Sequence, residues 1–162
     1  MDLSIQSVEA TQRRPELRRL PVRYPALLRR LEDRQFLEMD AAFRSSGGLL
    51  CGDSLATLMR GRLEQPVSVI ARWIVERRAV SFEWQARTML PVFQFDFTNS
   101  TLRDSIVEVV KELRDVFDDW DLALWFAQSN ACLGGAAPVD VIHADPKAVL
   151  ATARVDRFIA RG

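Results

Sequence analysis

The sequence predicts a mainly α fold with one small β-hairpin, and three features predict it. An apolar helix carrying Trp120 and Trp125 runs into the tight loop Asn130-Ala-Cys-Leu-Gly-Gly135, and a new helix starts at Pro138. Apolar residues at Leu102, Ile106, Val109, Val110, Leu113, Val116 and Phe117 mark one face of a long helix. Two β-rich runs flank Gln85-Ala86-Arg87. The expected organisation is an arm over 1–24, a helix-turn-helix-like region with the hairpin over 25–96, and a helical domain over 97–162.

The arm is polar, interrupted by Pro15 and Pro21, and rich in Arg13, Arg14, Arg18, Arg19 and Arg23. Such arms hold nucleic-acid backbone or pack on a neighbour. From Pro25 to about Phe43, Leu27, Leu28, Leu31, Phe36 and Leu37 predict a helix, which Ser45-Ser46-Gly47-Gly48 ends. Asp53 is the expected N-cap of a helix carrying Leu55, Leu58 and Met59, and Gly61 its left-handed stop. Pro66 then opens a helix to about Arg78 as a first-turn residue. Its buried stripe would be Ile70, Trp73 and Ile74.

The other face of that helix offers Gln65, Ser68 and Arg72, with Arg77 and Arg78 at its end. A helix, a glycine-containing turn and a second helix with polar reach form the helix-turn-helix pattern, which many αα-hairpins share. Gln and Arg can read adenine and guanine edges, whereas Glu76 on the same face repels phosphate. The runs Ala79–Trp84 and Thr88–Phe95 read as a hairpin, with Pro91 favouring an edge strand. A hairpin after a recognition helix is what a winged helix-turn-helix would show; a small sheet covering the core is the plainer reading. Phe93 and Phe95 are expected to be buried.

In the C-terminal half, Thr101 and Asp104 have capping-box spacing. Asp118 and Asp119 suit the N-terminal dipole of the next helix, whose stripe is Leu122, Trp125 and Phe126 and which Asn130 ends. Asp145-Pro146 caps a last helix through Val149, Leu150, Ala153 and Phe158.

Composition sets the outer limits. The 162-residue chain is 48% hydrophobic and 27% charged, ordinary for one globular domain or two small units sharing a core. No apolar run approaches the ~20 residues that span a bilayer. The N-terminus lacks the basic-then-apolar order of a signal peptide. Cys51 and Cys132 are too few for a disulfide framework and match no zinc motif. A reducing cytoplasm is therefore the expected compartment, with no membrane partner.

Net charge is zero but uneven. Residues 1–90 hold 15 Arg and 11 acids, a net of +4, and residues 91–162 hold 7 Lys or Arg and 11 acids, a net of −4. A basic half favours phosphates and an acidic half a basic protein partner, unless the charges merely solvate the surface.

No enzyme is expected, and no catalytic residue, metal ligand or cofactor is assigned. His143 is the single histidine and reads as a surface or capping residue. Helix capping accounts for Asp115, Asp118, Asp119 and Asp121 without a metal, since the EF-hand pattern is absent. Gly134-Gly135 lacks the lysine and preceding strand of a phosphate-binding loop. Trp73, Trp84, Trp120 and Trp125 are core residues first and interface anchors second.

Trp125, Asn130, Leu133-Gly134, Pro138 and Asp140-Val141-Ile142 together resemble the toxin-binding domain of Xre/MbcA/ParS-type antitoxins. In that family a Trp-containing helix leads into an Asn-x-x-Leu-x-Gly-x-x-Pro turn and a short helix. The likeness covers about residues 100–162. Pro91, Gln94 and Phe95 are similar to a string in one branch with a short helix-turn-helix before the domain. The resemblance implies a bacterial type II antitoxin that binds and neutralises a cognate protein toxin, the NAD-consuming RES class among them, forms a homodimer and represses its operon. The toxin-binding residues it points to are Trp125, Asn130, Gly134 and Pro138, with Arg154 and Arg157 on the last helix. The segment before residue 91 departs from an ordinary Xre helix-turn-helix. The alternative is a stand-alone DNA-binding transcription regulator that reads operator DNA through Gln65, Ser68, Arg72, Arg77 and Arg78, with a C-terminal domain that only dimerises.

Overall fold

The computed structural model describes residues 25–162; the Arg-rich arm over 1–24 lies outside the described residues. The described chain is mainly α, with seven α-helices and two small antiparallel sheets. Helix α1 spans Pro25–Arg44. Its buried face is Met39 and Phe43, with Phe36 packed alongside, whereas Leu27 and Leu37 of the expected stripe are exposed. The spacing of 36, 39 and 43 follows the helical repeat, so the inward face is rotated from the one the leucines suggested.

Strand β1 (Leu49–Cys51) follows and leads straight into α2 (Gly52–Met59). Cys51 occupies the N-cap and Asp53 lies in the first turn, so Asp53 is not the cap. Gly61 is likewise not a left-handed stop: its φ is not positive, and α2 ends at Arg60 in a right-handed conformation. Helix α3 (Pro66–Val75) starts with Pro66 in its first turn and buries Ile70 and Trp73, as expected.

Strands β2 (Phe82–Trp84) and β3 (Arg87–Pro91) form the hairpin, with Trp84 paired to Arg87. The connection is only Gln85-Ala86, both at positive φ (47° and 61°). Two left-handed residues in a two-residue turn match the right-handed twist of the strands, although neither is a glycine. Strand order is β1-β3-β2, which places Pro91 at the end of the central strand and not on an edge. A 3-10 turn (Val92–Gln94) leads to β4 (Phe95–Asp96), which pairs with β5 (Thr101–Leu102).

Thr101 therefore belongs to a strand, and Arg103 is the N-cap of α4 (Asp104–Leu113), so no capping box forms. Helix α5 (Asp119–Ala127) is capped by Asp118, whose carboxylate accepts from the Asp121 N–H at 2.8 Å. It ends at Ala127, before Asn130. A 3-10 turn (Ala131–Leu133), α6 (Pro138–Val141) and α7 (Pro146–Arg161) complete the chain. Asp145 caps α7 through the Ala148 N–H at 3.0 Å, as the sequence predicts.

Two apolar clusters hold these elements. The larger joins Met39, Phe43 and Phe82 to the inner faces of α4–α7, so it crosses the expected boundary at residue 97. The smaller joins Leu55, Met59, Ile70 and Trp73 to Leu90, Phe95 and Leu102. Gln94 is fully buried near their junction. Its side chain accepts from the Val80 N–H (2.7 Å) and donates to the carbonyls of Val80 (2.8 Å) and Pro91 (2.9 Å). A buried amide is tolerated only when paired in this way. Phe93 and Phe95 on either side of it are buried.

Among the described residues no helix is long and apolar enough to cross a membrane, and no group of three or more His, Cys, Asp or Glu could hold a metal.

Candidate functional site

Two residues of the motif that resembles the antitoxin domain, Trp125 and Asn130, converge on a side chain outside it. The indole Nε1–H of Trp125 donates to Asp156 Oδ2 at 2.7 Å, and Asn130 Nδ2 donates to the same oxygen at 2.9 Å. Trp125 is buried, its ring edge-on to Phe126. Asn130 also accepts from the Cys132 N–H at 2.9 Å, which starts the 3-10 turn. The backbone closes the loop: the Asn130 N–H donates to the Ala136 carbonyl and the Gly135 N–H to the Asn130 carbonyl.

Gly134 ends the turn at φ 65°, a left-handed position where a side chain would be strained. Pro138 is buried in the first turn of α6, where its missing N–H costs nothing. One carboxylate on α7 thus ties together the end of α5 and the loop into α6. Trp125 and Pro138, expected to touch a toxin, are packed inside the unit.

The surface above that lock belongs to α7. Val155, Phe158 and Ile159 are exposed, Phe158 to 78%. Arg154 Nε lies 3.1 Å from Glu112 Oε1 on α4, and Arg157 pairs with the other oxygen of the same carboxylate. Both arginines are held across α4 and α7 while keeping part of their length at the surface. Sequence reasoning singled out neither Asp156 nor Glu112. No local signal marks either: the partners of Asp156 lie 31 and 26 residues away, and Arg154 lies 42 residues from Glu112.

The expected DNA-reading residues divide. Gln65, the N-cap of α3, and Ser68 and Arg72 on the helix are all exposed. Arg78 is exposed beside Glu76 at 3.7 Å. Arg77 is not available: Nε meets Asp119 Oδ1 and Nη2 the Phe117 carbonyl, both at 2.9 Å, and Nη1 donates to the Arg114 carbonyl. It caps the turn between α4 and α5 and does not stand free on the α3 face as expected. The α3 face also exposes Val67 and Val75. Arg87 is exposed at the start of β3.

His143 follows α6 and lines a cleft with Arg103. Burial, and then the Arg103 charge, hold its imidazole below the ordinary histidine range. The Cys51 thiol is also lowered, chiefly by its hydrogen bond with Ser54.

Comparison of the chain with family models, with curated proteins and with solved structures found no match.

Proposed function

We propose that this chain is the antitoxin of a bacterial type II toxin–antitoxin pair, and that α7 and its neighbours dock on a cognate protein toxin and neutralise it. The observation that carries this reading is the apolar strip Val155, Phe158 and Ile159 beside Arg154 and Arg157, on a helix fixed from beneath by Asp156. A large exposed aromatic beside arginines, on rigid backbone, has the composition of a binding hot spot. The resemblance of Trp125, Asn130, Gly134 and Pro138 to the antitoxin domain supplies the class of partner, RES-type toxins among them. Homodimer formation and a cytoplasmic setting belong to the same reading.

A second role, contact with operator DNA, is favoured by one observation. Helix α3 follows α2 across a short turn, precedes the β2–β3 hairpin and exposes Ser68 and Arg72, with Gln65 exposed at its N-cap. This order suits a winged helix-turn-helix, either within an antitoxin that represses its operon or in a stand-alone regulator.

The test is co-expression with the product of the adjacent gene, scored by growth rescue and by recovery of a complex. Phe158→Glu with Val155→Glu should abolish both while the circular dichroism stays unchanged. If the wild type neither rescues growth nor forms a complex, the antitoxin reading fails for that pair. Anisotropy with the chain's own upstream DNA tests the second role; Arg72→Ala should weaken binding there and leave rescue intact.

A further inference from the structure

A cleft of roughly 380 Å³ lies where the turn after α1 meets β4 and α6. Val92 and Phe97, both half-buried, present apolar surface to it over the buried Phe95 and Val139, while Arg103, Asp140 and His143 bring polar groups. The walls are set in advance. Gly48 donates to the Phe43 carbonyl at 2.8 Å, and Val92 donates to the Gly48 carbonyl at 2.9 Å. The Arg103 N–H is anchored on the Gln94 carbonyl at 2.9 Å. Gly47 sits so close to Val92 that a Cβ would lie 2.6 Å from its Cγ1. Ligand sites are commonly preformed clefts with a few placed polar groups, and here polar groups make up as much of the lining as apolar ones.

The charges are what single this cleft out. Arg103 projects from the start of α4 and Asp140 from α6, both lining the same space, yet no ion pair joins them among the described residues. Asp96, which also feels Arg103, is occupied by Thr98 and Asn99. Two opposite charges that are not paired with each other, beside a small apolar surface, complement a molecule that carries both. A ligand with only a carboxylate would meet Asp140, and one with only an amine would meet Arg103.

We propose that this cleft binds a small zwitterion with an apolar body, of the α-amino-acid class. Its carboxylate lies on Arg103, its ammonium on Asp140, and its side chain against Phe97 and Val92. His143, kept neutral, offers a further hydrogen bond without a second positive charge. The site is independent of the toxin-binding reading.

The experiment is titration of the full chain with L-phenylalanine and L-leucine, followed by amide NMR and thermal unfolding. Hydrocinnamate and phenethylamine serve as the one-charge analogues. The amino acids should shift resonances around the cleft and raise the unfolding temperature. Affinity should drop about tenfold or more for each analogue, and similarly in Arg103→Gln and Asp140→Asn. No response to either amino acid at millimolar concentration would overturn the proposal. So would an equal response to the analogues, or undiminished binding in both variants. Because the analogues are compared on the wild type, a variant that fails to fold leaves the test intact.

Discussion

Trp125 and Asp156, 31 residues apart in the chain, are joined by a 2.7 Å hydrogen bond from the indole nitrogen to Oδ2, and Asn130 reaches the same oxygen at 2.9 Å. Removing the acceptor strands two partly buried donors. Asp156→Ala should therefore lower stability by about 2–4 kcal/mol, and Trp125→Ala by about 3–5 kcal/mol through the cavity it leaves. Asp156→Asn keeps an acceptor oxygen and should lose less than Asp156→Ala. Urea unfolding measures all three; an Asp156→Ala variant as stable as the wild type would remove the lock from the account.

Arg77 should behave as a structural residue. Its guanidinium meets a carboxylate and two carbonyls at the α4–α5 turn. Arg77→Ala should cost about 1–3 kcal/mol, and Arg77→Lys should recover little because an ammonium lacks the planar fork. Arg72→Ala, fully at the surface of α3, should stay within about 0.5 kcal/mol of the wild type. Denaturation curves of the three variants decide this, and equal losses at 72 and 77 would contradict it.

Two glycines should respond differently to alanine. At Gly134 the backbone is left-handed but nothing crowds the site, so Gly134→Ala should cost about 1–2 kcal/mol. Gly47 combines φ +107° with a Cβ position 2.6 Å from Val92 Cγ1. Gly47→Ala should cost more, and should also disturb resonances of Val92 and its neighbours. Thermal unfolding gives the order, and a smaller loss at Gly47 would refute it.

The pH response of His143 has a defined sign. Burial and the Arg103 charge lower its folded-state pKa, so the unfolded chain takes up the proton first. Its contribution is intact above the ordinary imidazole value of about 6.5 and is lost as pH falls through the lower folded value. His143 is the single histidine, so one set of imidazole resonances in tag-free protein follows the titration directly. The midpoint should fall below the ordinary value, and Arg103→Gln should raise it. A midpoint at or above the ordinary value would show that the imidazole is not shielded.

Much of this architecture was legible from local signals. The stripe from Leu102 to Phe117 located α4, Asp118 and Asp145 marked two helix starts, and Pro66 and Pro138 opened helices at the expected places. Caps and prolines act within one turn of chain, so a single sequence displays them. The local reading went astray where distant chain intervened. Thr101 looks like a capping residue but is claimed by its pairing with Asp96. Pro91 looks like an edge residue, but β1 pairs on its far side. Arg77 looks like a free cation until the α4–α5 turn meets it.

The candidate site follows the same division. The chain by itself determined a mainly α protein with a hairpin, and it displayed the Trp125–Pro138 string whose turn chemistry depends on neighbouring residues. Only the tertiary structure decided that Asp156 is the shared acceptor, that Trp125 and Pro138 face inward, and that Phe158 remains outside. The physical reason is range. Helix periodicity and capping are set over a few residues, whereas burial and side-chain pairing depend on which distant surfaces the packed core brings together.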